Sequence, residues 1–270
     1  MNKLVLGFAV FAVIASILGL VAFIMMMIRN RHKVDERYDS KSTKLNVIIP
    51  IRDREKDLDK ITDVLEAIFK KQNIVAKYTI VEQEKGKPFN KAKISNAAFI
   101  ESIKNNYTLN YLFTDVDLWP LNHQAIDYTT TYGNTIRHPY GTDGSLGGFF
   151  LLSSTTFKHL NGYSNEYWGW GAEDTDLEYR SRLLKIPIDR KHFIKRRSSQ
   201  TVIRDDLSET RKKDPTVFEK SHNFLKKKHA SYKENISNIQ TDGLSNIVYN
   251  VIEKTMYKNK PHMSRILVSI

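Results

Sequence analysis

Three short apolar runs separated by two amphipathic stretches restrict the fold of this chain more than any other feature. Leu45-Asn-Val-Ile-Ile-Pro50, Tyr78–Val81 and Tyr111-Leu-Phe-Thr114 are bounded runs of strand length and read as buried strands. Between them, Arg54–Gln72 carries Leu58, Ile61, Leu65, Ile68 and Phe69 at helical spacing, and Lys91–Lys104 carries Ile94, Ala97 and Ala98. Strand, helix, strand, helix, strand at these distances predicts an α/β domain on a parallel sheet. Ligands of such sheets bind beyond the carboxyl ends of the strands, which is where Arg52, Arg54, Asp115 and Asp117 fall. Gly147-Gly-Phe-Phe-Leu-Leu152 predicts a later core strand, and Lys158-His-Leu-Asn-Gly162 the close of a short helix. After Ile188 the pattern loosens into polar, basic segments.

Ahead of this domain, Leu4–Ile28 is 25 residues without a charge. About 20 apolar residues cross a bilayer as a helix, whereas a cleavable signal has an apolar region of roughly 7–15 residues. Residues 1–30 therefore read as a retained transmembrane anchor, 31–43 as a short polar stem, and 44–270 as one domain with a full core. The anchor is preceded by Lys3 and followed by Arg29, Arg31, Lys33 and Arg37. By the positive-inside rule this favours a cytosolic domain, and the absence of cysteine points the same way. The triplets Asn106-Tyr-Thr108 and Asn235-Ile-Ser237 would suit the lumenal side instead, so both orientations stay open. The net charge of +12 is spread over scattered lysines and arginines, with local runs such as Arg211-Lys-Lys213. No nucleic-acid motif accompanies them. They read as solvated faces with an attraction for anionic substrates or lipid head groups, and nucleic acid is not an expected partner.

Two segments carry the chemistry. Asp115-Val-Asp117 ends the third apolar run and puts two carboxylates on one side of an extended chain. Oxygen ligands of this kind suit a hard divalent cation that bridges a diphosphate. Tyr167-Trp-Gly-Trp-Gly-Ala-Glu-Asp-Thr-Asp176 sets two tryptophans among glycines before three carboxylates. Aromatic faces are platforms for sugar rings, Gly169 and Gly171 suit a loop that moves over a bound ligand, and one of Glu173, Asp174 and Asp176 could accept a proton. Arg52 and Arg54 alternate beyond the first strand and can offer bidentate contacts to phosphate. Phe89-Asn90-Lys91 opens a helix, with an aromatic face for a base and an N-terminus for anions.

Together these residues resemble the β1,4-galactosyltransferase family. The resemblance runs from about Leu45 to Glu253. Val47-Ile-Ile-Pro-Ile-Arg-Asp-Arg54 is similar to the family's Ile-Pro-Phe-Arg-Asn-Arg, and Phe89-Asn-Lys-Ala-Lys93 to its Phe-Asn-Arg-Ala-Lys. Asp115-Val-Asp117 matches its metal motif, Gly162-Tyr-Ser-Asn-Glu-Tyr-Trp-Gly-Trp-Gly-Ala-Glu-Asp174 its most specific signature, and Asp242-Gly-Leu244 its C-terminal Asp-Gly-Leu. The resemblance implies a GT-A fold, Rossmann-like with a mostly parallel central sheet, and an inverting, manganese-dependent transfer from a UDP-sugar to a glycan acceptor. It implies Asp174 as general base with Glu173 beside it, and Asp117 as a ligand of Mn2+. Pro50, Arg52, Arg54, Phe89, Asn90, Lys91, Asp115, Gly148 and Trp170 would bind the UDP-sugar, with Phe89 on the uracil. Trp170, Asp174, Thr175 and Phe218 would meet the acceptor.

The chain also departs from the family's pattern. Val202-Ile-Arg-Asp205-Asp206 stands where the family has Met-Ile-Arg-His, so Asp205 is the expected later metal ligand. Lys91 replaces an arginine, Thr175 a carboxylate, and Val217-Phe218 an arginine–phenylalanine pair. Ser145 stands where a tyrosine crowds the C2 substituent of the donor sugar, which predicts a donor of galactose or an N-acetylhexosamine. A catalytically inactive sugar- or UDP-binding module of the same fold is the alternative.

Overall fold

In β1 (Thr43–Ile51) every residue from Leu45 to Ile51 is buried, as a strand covered on both faces requires. The computed structural model describes residues 43–104, 110–129, 133–169, 171–196, 203–205 (backbone only) and 215–270. The expected anchor and stem, the Asn106 triplet, Trp170 and the Arg211-Lys-Lys213 run lie outside the described residues. Among those described, no helix is long and apolar enough to cross a membrane. Thr43–Ile270 forms one compact unit.

Along β1, successive side chains serve opposite cores. Val47 and Ile49 join a cluster with Leu58, Ile61 and Leu65 of α1 (Glu55–Lys71). Ile48 joins the other cluster, with Ile94, Ala98 and Phe99 of α2 (Lys91–Lys104). The two helices thus cover opposite faces of the sheet, which is the period-2 alternation of a strand read out in space. β2 (Ile74–Gln83) pairs parallel with β1 on one side and β3 (Asn110–Thr114) pairs parallel on the other. The chain therefore switches direction across β1, and the carboxyl ends of β1 and β3 open a crevice at the switch.

Beyond this parallel core the sheet is mixed rather than mostly parallel. β6 (Phe149–Ser153) runs antiparallel to β3, and β5 (Ile136–Gly141) antiparallel to β6. At the other edge β11 (Met263–Ser269) is parallel to β2, while β10 (Asn250–Met256) is antiparallel to β11. Two short strands, β7 (Ile188–Asp189) and β8 (Ile194–Lys195), add to β5. A separate ribbon pairs β4 (Leu118–Pro120) with β9 (Ile203–Asp205). Three further helices complete the unit: α3 (Ser154–His159), α4 (Glu173–Leu183) and α5 (Pro215–Glu234). The loose basic region after Ile188 thus includes a 20-residue helix. It buries Ser221, Leu225 and Tyr232, too thin a stripe to show as clear periodicity.

Candidate active site

β3 delivers Asp115 to the crevice and turns into β4 through Asp117. Val116 enters the apolar cluster under α1, while Asp117 is wholly buried and Asp115 retains 13% side-chain exposure. The β4–β9 register sets Leu118 opposite Asp205, so the backbone of Asp205 lies beside the residue that follows Asp117. The side chain of Asp205 lies outside the described residues. Among the described residues, no group of three His, Asp or Glu side chains could hold an ion by itself.

The second segment approaches from the other side. Tyr167 is buried edge-on against Phe224 of α5, with ring centroids 5.2 Å apart. The Gly169 N–H then donates to the Phe89 carbonyl at 2.7 Å. Gly169 (φ 88°), Gly171 (φ 100°) and Ala172 (φ 77°) all take left-handed conformations. For Gly169 the reason is steric as well, because a β-carbon there would meet Val217 Cγ1 at 2.5 Å. Ala172 has no such freedom, so its conformation is local strain held by the surroundings. It caps α4, whose first turn carries Glu173, Asp174 and Asp176 near the positive helix end.

Lys91, at the start of α2, joins the two segments. Its Nζ lies 3.2 Å from Asp115 Oδ1, 2.9 and 2.8 Å from the two Asp174 oxygens, and 3.2 Å from Glu173 Oε1. Burial works against the ammonium, but Asp115, Asp174 and Glu173 outweigh it and hold Lys91 well above the usual lysine range. Burial also pushes the Asp174 carboxyl up to about 7; Lys91 opposes this, and Glu173 and Asp115 add to it. A carboxyl poised near neutrality in a cleft is suited to proton transfer.

The structure brings several expected residues to one place: Pro50, Lys91, Asp115, Gly148 and Asp174 line a single cleft, with Tyr163 at its floor. Arg52 lies at the rim, its guanidinium 5.2 Å from the centre of the Phe89 ring and donating to the Lys87 carbonyl at 2.7 Å. Arg54 caps α1 and pairs with Asp57 at 3.1 Å. Asn90 is buried: its Oδ1 accepts from the Lys93 N–H at 2.8 Å and its Nδ2 donates to the Asn165 carbonyl at 2.8 Å. That side chain caps α2 and ties it to the loop before Tyr167. Ser145 sits half-buried in the turn that leads to Gly147 and Gly148, beside Leu146 of the cleft. Thr175 is half-buried on α4, while Phe218 of α5 is exposed beside the glycine loop. A β-carbon on Gly171 would lie 3.7 Å from Phe218 Cδ2.

Asp176 belongs elsewhere. It is fully buried and pairs with Arg180 at 2.9 Å. Arg180 also donates to the Tyr232 hydroxyl (2.7 Å) and to the Asp242 carbonyl (2.9 Å). The Asp242 carboxylate receives Lys228 (2.7 Å), the Asn165 N–H (2.9 Å) and the Ser164 hydroxyl. The Asp-Gly-Leu segment is thus the clasp between α4, α5 and the loop before Tyr167. Sequence reasoning left Asp176, Arg180 and Lys228 without this role; the i, i+4 spacing of Asp176 and Arg180 was the available signal.

Two adjacent family models match the chain: the N-terminal region of glycosyl transferase group 7 over residues 27–130, and the N-terminal domain of galactosyltransferase over residues 131–202. Human β-1,4-galactosyltransferase 4 is 33% identical over 156 residues, covering 53% of this chain and 44% of the relative. Human β-1,4-galactosyltransferase 2 is 29% identical over 237 residues, covering 83% and 58%. The chain thus spans about half the length of these curated relatives. Two crystal structures of Drosophila β1,4-galactosyltransferase 7 share the fold. Its catalytic domain with xylobiose superposes with a TM-score of 0.67 at 22% identity, covering 84% of this chain and 94% of that one. A mutant with manganese, UDP-Gal and xylobiose gives a TM-score of 0.64 at 20% identity over the same shares, 84% and 94%. On these matches the chain belongs to the β1,4-galactosyltransferase family of GT-A-fold glycosyltransferases.

Proposed function

We propose that this chain is an inverting glycosyltransferase that moves galactose, or an N-acetylhexosamine, from a UDP-sugar to a glycan hydroxyl, with Asp174 as general base. The observation that carries the reading is the Lys91 bridge, which sets the Asp115 motif and Asp174 on two sides of one cleft. Pro50, Arg52 and Arg54 lie at the carboxyl end of β1, where guanidinium groups can take a diphosphate, and Phe89 offers its ring to the base. Asp174 would accept the acceptor hydroxyl proton as that oxygen attacks the sugar. Glu173, on the same turn, supports the charge distribution around it. Thr175, Phe218 and Trp170 would meet the acceptor.

The donor set fits a hard divalent cation, because Asp115 and Asp117 offer carboxylate oxygens and the β4–β9 register sets the Asp205 backbone opposite Leu118, the residue after Asp117. Asp117 and Asp205 would hold the ion, Mn2+ by analogy with the fly relative's complex. Bound there, it would neutralise charge on the departing diphosphate. Attachment to a membrane through Leu4–Ile28 completes the reading, with the cytosolic or lumenal side decided by topology mapping. The test is UDP release from a panel of UDP-sugars, with and without manganese and sugar acceptors. Acceptor-dependent release that needs the metal is expected. Metal-dependent UDP binding without transfer to any acceptor would identify an inactive module instead.

A further inference from the structure

The turn that carries Gly147 and Gly148 into the cleft is held from behind by side chains that the chemistry above does not use. His138 of β5 is fully buried, and its Nε2 lies 2.8 Å from the Gly147 carbonyl oxygen. Its Nδ1 lies 3.1 Å from Arg190 Nε. Arginine can only donate, so Nδ1 accepts and the ring proton sits on Nε2, facing Gly147. Arg190 is paired in turn with the buried Glu178 of α4. Glu178 lies one helical turn beyond Asp174.

The chain of contacts closes on itself. The Leu146 N–H donates to the Asp174 carbonyl at 3.0 Å. A β-carbon on Gly147 would come within 2.6 Å of Asp174 Oδ2. Asp174, Glu178, Arg190, His138 and Gly147 thus form a ring of restraints around the base. Burial pulls the imidazole down to about 4, so it stays neutral and keeps one proton to give. Phe193 packs on the ring at 5.0 Å between centroids and limits its rotation. An apolar residue could fill the same space but could not donate to the Gly147 carbonyl.

We propose that His138, set by Arg190 and Glu178, is a positioning residue that fixes the Gly147–Gly148 turn relative to Asp174, and so places the donor sugar against the base. The proposal rests on the donor-site reading above.

His138→Leu and His138→Gln in the full-length chain test it, since glutamine keeps an N–H near the Nε2 position and leucine does not. His138→Leu is expected to raise KM for the UDP-sugar about tenfold and lower kcat by a similar factor. His138→Gln should return both to within about threefold of the starting protein, with acceptor KM unmoved. Arg190→Met should act like His138→Leu, and the double variant should be no worse than either alone. Two readouts do not need turnover. Imidazole 15N shifts should show a neutral, Nε2-protonated His138 between about pH 5.5 and 8, and amide exchange at Leu146 and Gly148 should quicken in His138→Leu and recover in His138→Gln.

If no UDP-sugar is turned over by the unmodified chain, the functional reading falls while those two readouts still judge the ring. An Nδ1-protonated or charged His138 overturns the proposal. So does a folded His138→Leu with unchanged donor KM and amide exchange, or a folded His138→Gln no better than it. Should His138→Leu fail to fold, a donor KM within twofold of normal in Arg190→Met overturns it as well.

Discussion

The first turn of α4 carries carboxylates in two opposite electrical settings. Asp174 faces the cleft, where Lys91 serves Asp115, Glu173 and Asp174 together. Two residues on, Asp176 faces the interior, where Arg180 and Lys228 stand against Asp176 and Asp242. The interior cluster is balanced, two cations to two carboxylates, with Ser164 and Asn165 donating to Asp242 and the Tyr232 hydroxyl accepting from Arg180. The cleft cluster gathers three carboxylates around one ammonium, and burial, reinforced by Glu173 and Asp115, raises Asp174 against the pull of Lys91. Balanced charge is what a scaffold needs, because a buried ion without partners is costly. Gathered negative charge is what a site for a cation and a proton needs. The comparison therefore predicts that damage to the two clusters will be read by different instruments.

The largest effect should come from the cleft. Asp117→Asn, or a chelator on the unmodified chain, should remove turnover and metal-dependent UDP binding while leaving the melting temperature close to normal. Full activity in chelator would break the metal half of the comparison. The interior cluster should respond the other way. Arg180→Met takes the close cation from the buried Asp176 carboxylate, a loss of about 3–5 kcal/mol, which for a domain of this size means a melting temperature lower by roughly 10 °C. Calorimetry decides it, and a stable Arg180→Met that is merely inactive would show that the two clusters are not separate.

A smaller effect concerns pH. The raised carboxyl of Asp174 is protonated below its pKa of about 7 and cannot then accept a proton. In the donor-free enzyme kcat/KM should therefore fall as pH drops through neutrality, not near 4 as for an ordinary aspartate. A profile flat down to pH 5 would remove Asp174 from the role. The smallest expected effect is on donor choice. Ser145→Tyr fills the turn before Gly147, and overpacking of this kind costs about 1–3 kcal/mol. The ratio of kcat/KM for UDP-galactose over UDP-N-acetylgalactosamine should rise roughly tenfold or more. No change in that ratio would place the selectivity elsewhere.

Much of the cleft was legible in the sequence because its parts are local. Leu45–Pro50 and Tyr111–Thr114 announce strands by composition, and Asp115 and Asp117 follow the second at once. The turn from Tyr167 to Asp174 is written in consecutive residues. The reversal at β6 was not legible: Phe149–Leu152 is buried throughout, and a run buried on both faces carries no sign of strand direction. The placement of β11 beside β2 depends on residues far apart in the chain. Asp176 and Asp174 look alike in the sequence, and helix rotation alone decides which meets Arg180 and which meets Lys91. His138, Arg190 and Glu178 come from a strand, a loop and a helix and make no motif at all.

With Asp174 as the base, its neighbours should bind the donor independently of it. Asp174→Asn is nearly isosteric and keeps the helix turn, so transfer from UDP-galactose and manganese-dependent UDP binding can be measured on the same preparation. Turnover should be lower by roughly 10²–10⁴, with UDP affinity within a few-fold of normal. Near-normal turnover in Asp174→Asn, with Glu173→Gln far more damaging, would contradict it.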